Sequence, residues 1–215
     1  MDEDETRGRM TSRLALLLSL WLALPSVALA EVDLFALAGW PVYQRQTEVT
    51  SAGYAQLGTP RRSFTPQANP SYGGGLIWWG TPSLGLRADF MIHQPNIPPS
   101  AVFDGQKGWH QRIVVGTLST MGRLPLTERL RAYGGIGLAR TAAKQCDEIG
   151  CTPNTQSWGA VATLGLQYQV WERVSVFTEV RHLATSFRYA NEPQGAFASE
   201  VHLTTVHVGL TWQGW

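Results

Sequence analysis

Charge is the first thing this chain has little of. Asp, Glu, Lys and Arg make up 15% of its 215 residues, against about a quarter in an ordinary soluble domain. The two signs nearly cancel, leaving a formal net charge of +1, so no basic surface calls for nucleic acid. Two cysteines are too few for a disulfide-dense scaffold. Five histidines occur without H-E-x-x-H or a comparable ligand spacing, so neither a metal centre nor a cofactor is expected. The stretches "YGGGL" (72–76) and "YGGIG" (133–137) lack the lysine and the following helix of a phosphate loop. Beyond residue 30 no segment could cross a bilayer as a helix, and helical periodicity is hard to find. What abounds is glycine, at 22, and tryptophan, at 9.

The one long apolar run is Leu14–Ala30, "LALLLSLWLALPSVALA". It follows Arg7, Arg9 and Arg13 and ends in Ala28-Leu29-Ala30, the three-part pattern of a secretory signal peptide. A membrane anchor is the competing reading, and the run is short for one. The acidic "MDEDE" upstream is atypical, which leaves Met10 as an alternative start. Two units are expected, a signal peptide over 1–30 and an exported domain over 31–215.

Eight segments alternate with period two: 32–43, 72–80, 83–93, 109–120, 129–140, 157–170, 174–187 and 200–212. The links between them run long, short, long, short to the end. That rule puts every long loop at one end of a closed sheet, as in barrels that cross the outer membrane. Aromatics mark both strand ends. Trp40, Tyr72, Trp109 and Trp158 stand near long loops; Trp78, Trp79, Tyr168, Trp171 and Trp212 stand near short turns or the C-terminus. Two such belts are what a bilayer interface selects. The fold expected is all-β, an eight-stranded antiparallel up-and-down transmembrane barrel, monomeric, with its long loops outside.

An inside-out protein explains "VSVFTEVRHL" (174–183). Its valines face lipid, and Glu179 and Arg181 face the lumen. The same alternation sends Arg87 and Asp89 inward, and Arg112 and His110 are read as inward beside outward Ile113 and Val115. An eight-stranded barrel is only wide enough for side chains, so these charges must pair. The set is either a salt-bridged plug or part of a gated ion path. Cys146 and Cys151 in an exported chain suggest a disulfide. The link 44–71 carries Arg45, Arg61 and Arg62 among aromatic and polar residues, a composition suited to surface binding.

"LRAYGGIGLAR", "GLQYQV" and "VSVFTEVRHL" resemble the recurring arrangement of the eight-stranded outer-membrane β-barrel family of Gram-negative bacteria. The resemblance implies residence in that membrane, contact with its lipids and lipopolysaccharide, and folding by the barrel assembly machinery. It leaves activity open. A structural or surface-interaction role, with an extracellular ligand, comes first. A permeation barrel for ions or apolar solutes comes second, and a lipid A-modifying hydrolase third. Deacylases of similar shape carry a lipid-facing His and Ser two residues apart; here Ala184 follows His182 at that spacing, and Ser186 lies four away. The terminal Trp215 is out of phase with Val206, Val208, Leu210 and Trp212, which leaves His202 and His207 without an assigned face. N-terminal sequencing of the exported protein should begin at Glu31, and retention of 14–30 would rule out the signal peptide.

Overall fold

The structure, a computed structural model, describes residues 31–50, 61–67, 69–97, 109–146, 155–191 and 195–214. The expected signal peptide and Cys151 fall outside them. The described residues form ten strands: β1 (Glu31–Thr50), β2 (Arg61–Phe64), β3 (Ser71–Trp79), β4 (Leu84–His93), β5 (Asn96–Ile97), β6 (Trp109–Pro125), β7 (Leu130–Cys146), β8 (Thr155–Gln169), β9 (Val174–Asn191) and β10 (Gly195–Gln213). Eight of them pair in the order β10-β9-β8-β7-β6-β4-β3-β1, and β10 pairs with β1 to close the ring. Every pairing is antiparallel. β2 and β5 are short additions to β1 and β6.

Short turns follow from local chemistry. Thr81 and Thr127 each open one, and their hydroxyls accept from the backbone N–H groups of Leu84 and Leu130 at 2.9 and 3.0 Å. This side-chain mimic of a turn is what Ser and Thr supply. At the other end the strands outrun the sequence expectation. β1, β9 and β10 span 20, 18 and 19 residues, where about 9–11 suffice to cross the hydrocarbon. Much of the first and nearly all of the fourth expected long loop are therefore strand. Arg45 lies on β1, directly opposite His202 of β10. Pro41 has no N–H to give the ladder, and the register slips between Pro41 and Tyr43. The bulge reverses the phase of β1, so that Phe35 and Leu37 point inward below it and Gln44 and Gln46 above it.

The exterior is apolar. Ile136 is 70% exposed and Leu164 69%, with Leu34, Leu86, Leu118, Val180, Val208 and Leu210 also uncovered. A patch of this extent has no place in water, and among the described residues no helix is long and apolar enough to cross a membrane. Strands cross it instead. Trp40, Tyr72, Trp78, Trp158, Tyr168, Trp171 and Trp212 are exposed as the two-belt reading requires. Trp109 begins β6, and its side chain lies outside the described residues. The last strand keeps one phase through Trp212, with His202 outward and His207 fully inward.

Two facings differ from the sequence reading. Trp79 is buried inside the barrel, because adjacent tryptophans on a strand must take opposite faces and Trp78 holds the outer one. Arg112 and His110 face outward, while Gln111, Ile113 and Val115 are buried inside. Toward the long connections the lumen mixes aliphatic side chains with amides and hydroxyls such as Gln44, Gln46 and Ser199, so Gln111, Ile113 and Val115 all fit inside and no charge is needed there. Ile113 and Val115 join Leu183, Phe187, Val201 and Leu203 there, and β6 turns its aliphatics to them. Leu164→Arg puts a cation on the lipid face and should cost about 2–4 kcal/mol of barrel stability, measured by denaturant titration from bilayers. A Thr163→Ser change on the lumenal side of the same strand should cost far less.

Candidate functional site

The lumen is where charge is concentrated. Arg87 and Asp89 come from β4, Glu179 and Arg181 from β9, all at inward positions of alternating strands. Arg87 meets Glu179 in a two-toothed contact, Nη1 to Oε2 at 2.7 Å and Nη2 to Oε1 at 3.0 Å. Its Nε donates to Asp89 Oδ2 at 2.7 Å. Arg181 Nη2 donates to Asp89 Oδ1 at 2.9 Å and to Thr117 Oγ1 at 2.8 Å, and its Nη1 lies 2.9 Å from Met91 Sδ. Tyr133 gives its hydroxyl hydrogen to Glu179 Oε2 at 2.9 Å. Glu179 is 1% exposed and Arg87 2%. Burial at this depth requires full pairing, and two arginines meet two carboxylates. Arg112, once removed to the outside, leaves the balance even.

Aromatic packing supports this belt. The Arg87 guanidinium lies 4.3 Å from the centre of the Phe35 ring, and Phe177 contacts both Phe35 and Tyr133 edge-on. Glycine makes the room. A Cβ on Gly165 would fall 2.5 Å from Tyr133 Cζ, and one on Gly209 would fall 2.5 Å from Phe177 Cζ. Toward the short turns a second layer closes the barrel. Trp79 Nε1 donates to Asp33 Oδ2 at 2.8 Å, and Arg123 stacks on the Trp79 indole at 4.2 Å while bonding Glu31 at 2.6 Å. The cavity between Phe35, Trp79, Arg87, Tyr133, Phe177 and Glu179 measures about 10 Å³, room for about one water.

One arrangement escaped the sequence reading. His207 Nε2 sits 3.3 Å from Ser71 Oγ, and its Nδ1 is 3.6 Å from Glu179 Oε1. The order Ser–His–Glu is that of a hydrolytic triad, but the geometry is not that of one. The longer contact exceeds a hydrogen bond, Glu179 is occupied by Arg87 and Tyr133, and Ser71 and His207 are fully buried. Outside, His182 bonds Thr204 Oγ1 at 2.9 Å and stacks on His202. Among the described residues no cluster of His, Cys, Asp and Glu could hold a metal ion.

The other expected sites scatter. Arg45 is exposed on β1. Arg61 and Arg62 pair through β2 with Val49 and Glu48, and their side chains lie outside the described residues. Cys146 ends β7, and the expected disulfide to Cys151 also lies outside them.

An antiparallel ring of eight strands with a lipid-facing exterior and a charged, packed interior is a specific architecture, and solved structures share it. OprG from Pseudomonas aeruginosa superposes with a TM-score of 0.62 at 13% identity, covering 86% of this chain and 96% of its own. The fold is that of the eight-stranded outer-membrane β-barrels. AlkL, solved in lipid bilayers, gives 0.56 at 17% identity, with 86% of this chain and 90% of its own covered. Neisserial surface protein A gives 0.52 at 13%, with coverage of 84% and 96%. No protein-family model and no curated protein matches the sequence.

In this barrel the ionic belt is the dominant lumenal feature, and its removal has a predictable cost. Glu179→Gln removes one of the two carboxylates on Arg87 and leaves the belt with an uncompensated buried positive charge, which should destabilise the barrel by about 3–5 kcal/mol. Replacing both partners with apolar residues, Arg87→Met with Glu179→Leu, should cost less than the single change. Denaturant midpoints of the three proteins check this, and a milder single variant would mean that the pair is not the lock.

Proposed function

We propose that in the outer membrane of a Gram-negative bacterium this protein is a non-catalytic barrel that acts through its outer surface. The observation that carries the reading is the sealed lumen, with the Arg87–Glu179 contact spanning it and space for about one water beneath. An axial ion path would have to break a buried, charge-assisted pair. The strands that rise beyond the hydrocarbon support the same reading, since β1 carries the exposed Arg45 on that extension.

A second reading, permeation of apolar solutes, draws on the apolar lumenal layer of Ile113, Val115, Leu183, Val201 and Leu203. A solute entering from the long-connection end would meet that wall before the ionic belt. Two measurements separate the readings. In planar bilayers the protein should give no discrete conductance steps, and steps that vanish in Glu179→Gln would defeat the plug. Deleting residues 52–68 should preserve heat-modifiable mobility of the barrel and weaken binding of whole cells to host surfaces. Unchanged binding, with uptake of an apolar solute into liposomes, would favour permeation.

A further inference from the structure

Two of the five histidines meet on the outer wall. His182 of β9 stands opposite Thr204 of β10, and His202 stands opposite Ala184, so the imidazoles are diagonal neighbours on one face. The residues flanking them, Arg181, Leu183, Val201 and Leu203, are buried in the lumen, which turns both rings outward. Register brings the two together, so a search for ligand spacing along the chain misses them. The ring centres are 5.9 Å apart, with planes 30° from parallel. A divalent metal bonds an imidazole nitrogen at about 2.0–2.1 Å. Each ring centre then stands roughly 3.2 Å from the ion, and centres up to about 6.4 Å apart can share one. His182 Nδ1 lies 2.9 Å from Thr204 Oγ1. Donation from Nδ1 to that hydroxyl leaves the lone pair on Nε2, and metal-binding histidines are oriented by such an outer hydrogen bond. Small neighbours leave space. Ala162 and Ala160 of β8 stand beside His182 and Ala184, and both are exposed. The pair lies between two aromatic rows. Trp40 is level with Val206, one outward step toward the short turns from Thr204, and Trp158 is one such step beyond Ala160 in the other direction. That is the level of the outer aromatic belt, where polar groups and water replace hydrocarbon.

We infer that His182 and His202 form a two-imidazole site for a late first-row divalent cation, Cu(II) foremost. Imidazole suits these metals better than Mg(II) or Ca(II), and Cu(II) binds a given nitrogen site more tightly than Ni(II) or Zn(II). Among the described residues no group of three or more His, Cys, Asp and Glu could hold an ion. The two imidazoles are therefore the whole protein contribution, and water completes the shell. One neighbour works against the ion. Arg45 is exposed on β1 directly opposite His202, and a like charge at that range weakens binding. The inference rests on the outward facing of β9 and β10 and is independent of whether the lumen is sealed.

The test uses the full chain without an affinity tag, purified from outer membranes and placed in phosphatidylcholine nanodiscs. Copper(II) chloride is titrated with electron paramagnetic resonance as the readout, and heat-modifiable mobility checks folding. The unmodified protein should bind one Cu(II) per chain with a hyperfine pattern from two nitrogens. His182→Gln with His202→Gln should abolish that pattern, while His110→Gln, at an exposed histidine on β6, should leave it intact. Thr204→Val removes the acceptor for Nδ1 and should weaken binding about tenfold. Arg45→Gln takes away the neighbouring cation and should strengthen binding a few-fold. Absence of saturable binding to the unmodified protein would overturn the proposal without any variant. So would a two-nitrogen pattern that survives the double substitution, or Thr204→Val binding as tightly as the unmodified chain.

Discussion

Hydrocarbon offers the backbone no hydrogen bond, and the pairing of β10 with β1 is what allows this chain to live in it. Every other ladder in the sheet could form in an open ribbon. Only this one removes the two edges. It extends from Asp33↔Gln213 to Thr50↔Phe197 and tolerates one break, at Pro41, where the ring has no N–H to offer. Closure then fixes which face is wet. The inner face becomes a narrow tube in which each charge must find a partner, and the outer face becomes a surface only lipid can solvate.

That inversion was legible wherever one strand face carried charge or glycine against aliphatics on the other. β8 and β9 are legible because Gln167, Glu179 and Arg181 mark the inward face against Leu164, Leu166, Val176 and Val180 on the other, even with Val161 and Phe177 among them. β6 was harder. "RIVVG" puts Ile113 and Val115 on one side and Val114 on the other, so alternation alone carries no sign there. Charge alone points Arg112 inward, whereas the strand turns Gln111, Ile113 and Val115 to the lumen. Trp79 was assigned by its residue type, although its neighbour Trp78 had already claimed the interface.

The strand ends and the lumenal partners were illegible for a different reason. Above the lipid both faces of a strand meet polar surroundings, so "QRQTEVT" in β1 loses its alternating contrast and reads as loop. Tyr133 and His207 lie on inward phases that the sequence does supply. Their meeting with Glu179 follows from strand register, His207 directly opposite it on β10 and Tyr133 in the same row across Gly165, and spacing along the chain says nothing of register.

The geometry of the ionic belt bears on how the barrel comes into being. β4 and β9 stand four strands apart whichever way round the ring one counts, so Arg87 and Glu179 reach each other straight across it. Asp89 and Arg181 do the same. In a half-curled sheet Arg87 and Asp89 keep only each other, Glu179 and Arg181 lose the partners they find on β4, and unpaired charge is costly in hydrocarbon. The wall therefore has no comfortable intermediate in the membrane: curling, desolvation and neutralisation must arrive together. A cylinder of another girth would hold Arg87 from Glu179 and Asp89 from Arg181, so the belt fits one diameter and is costly in any other.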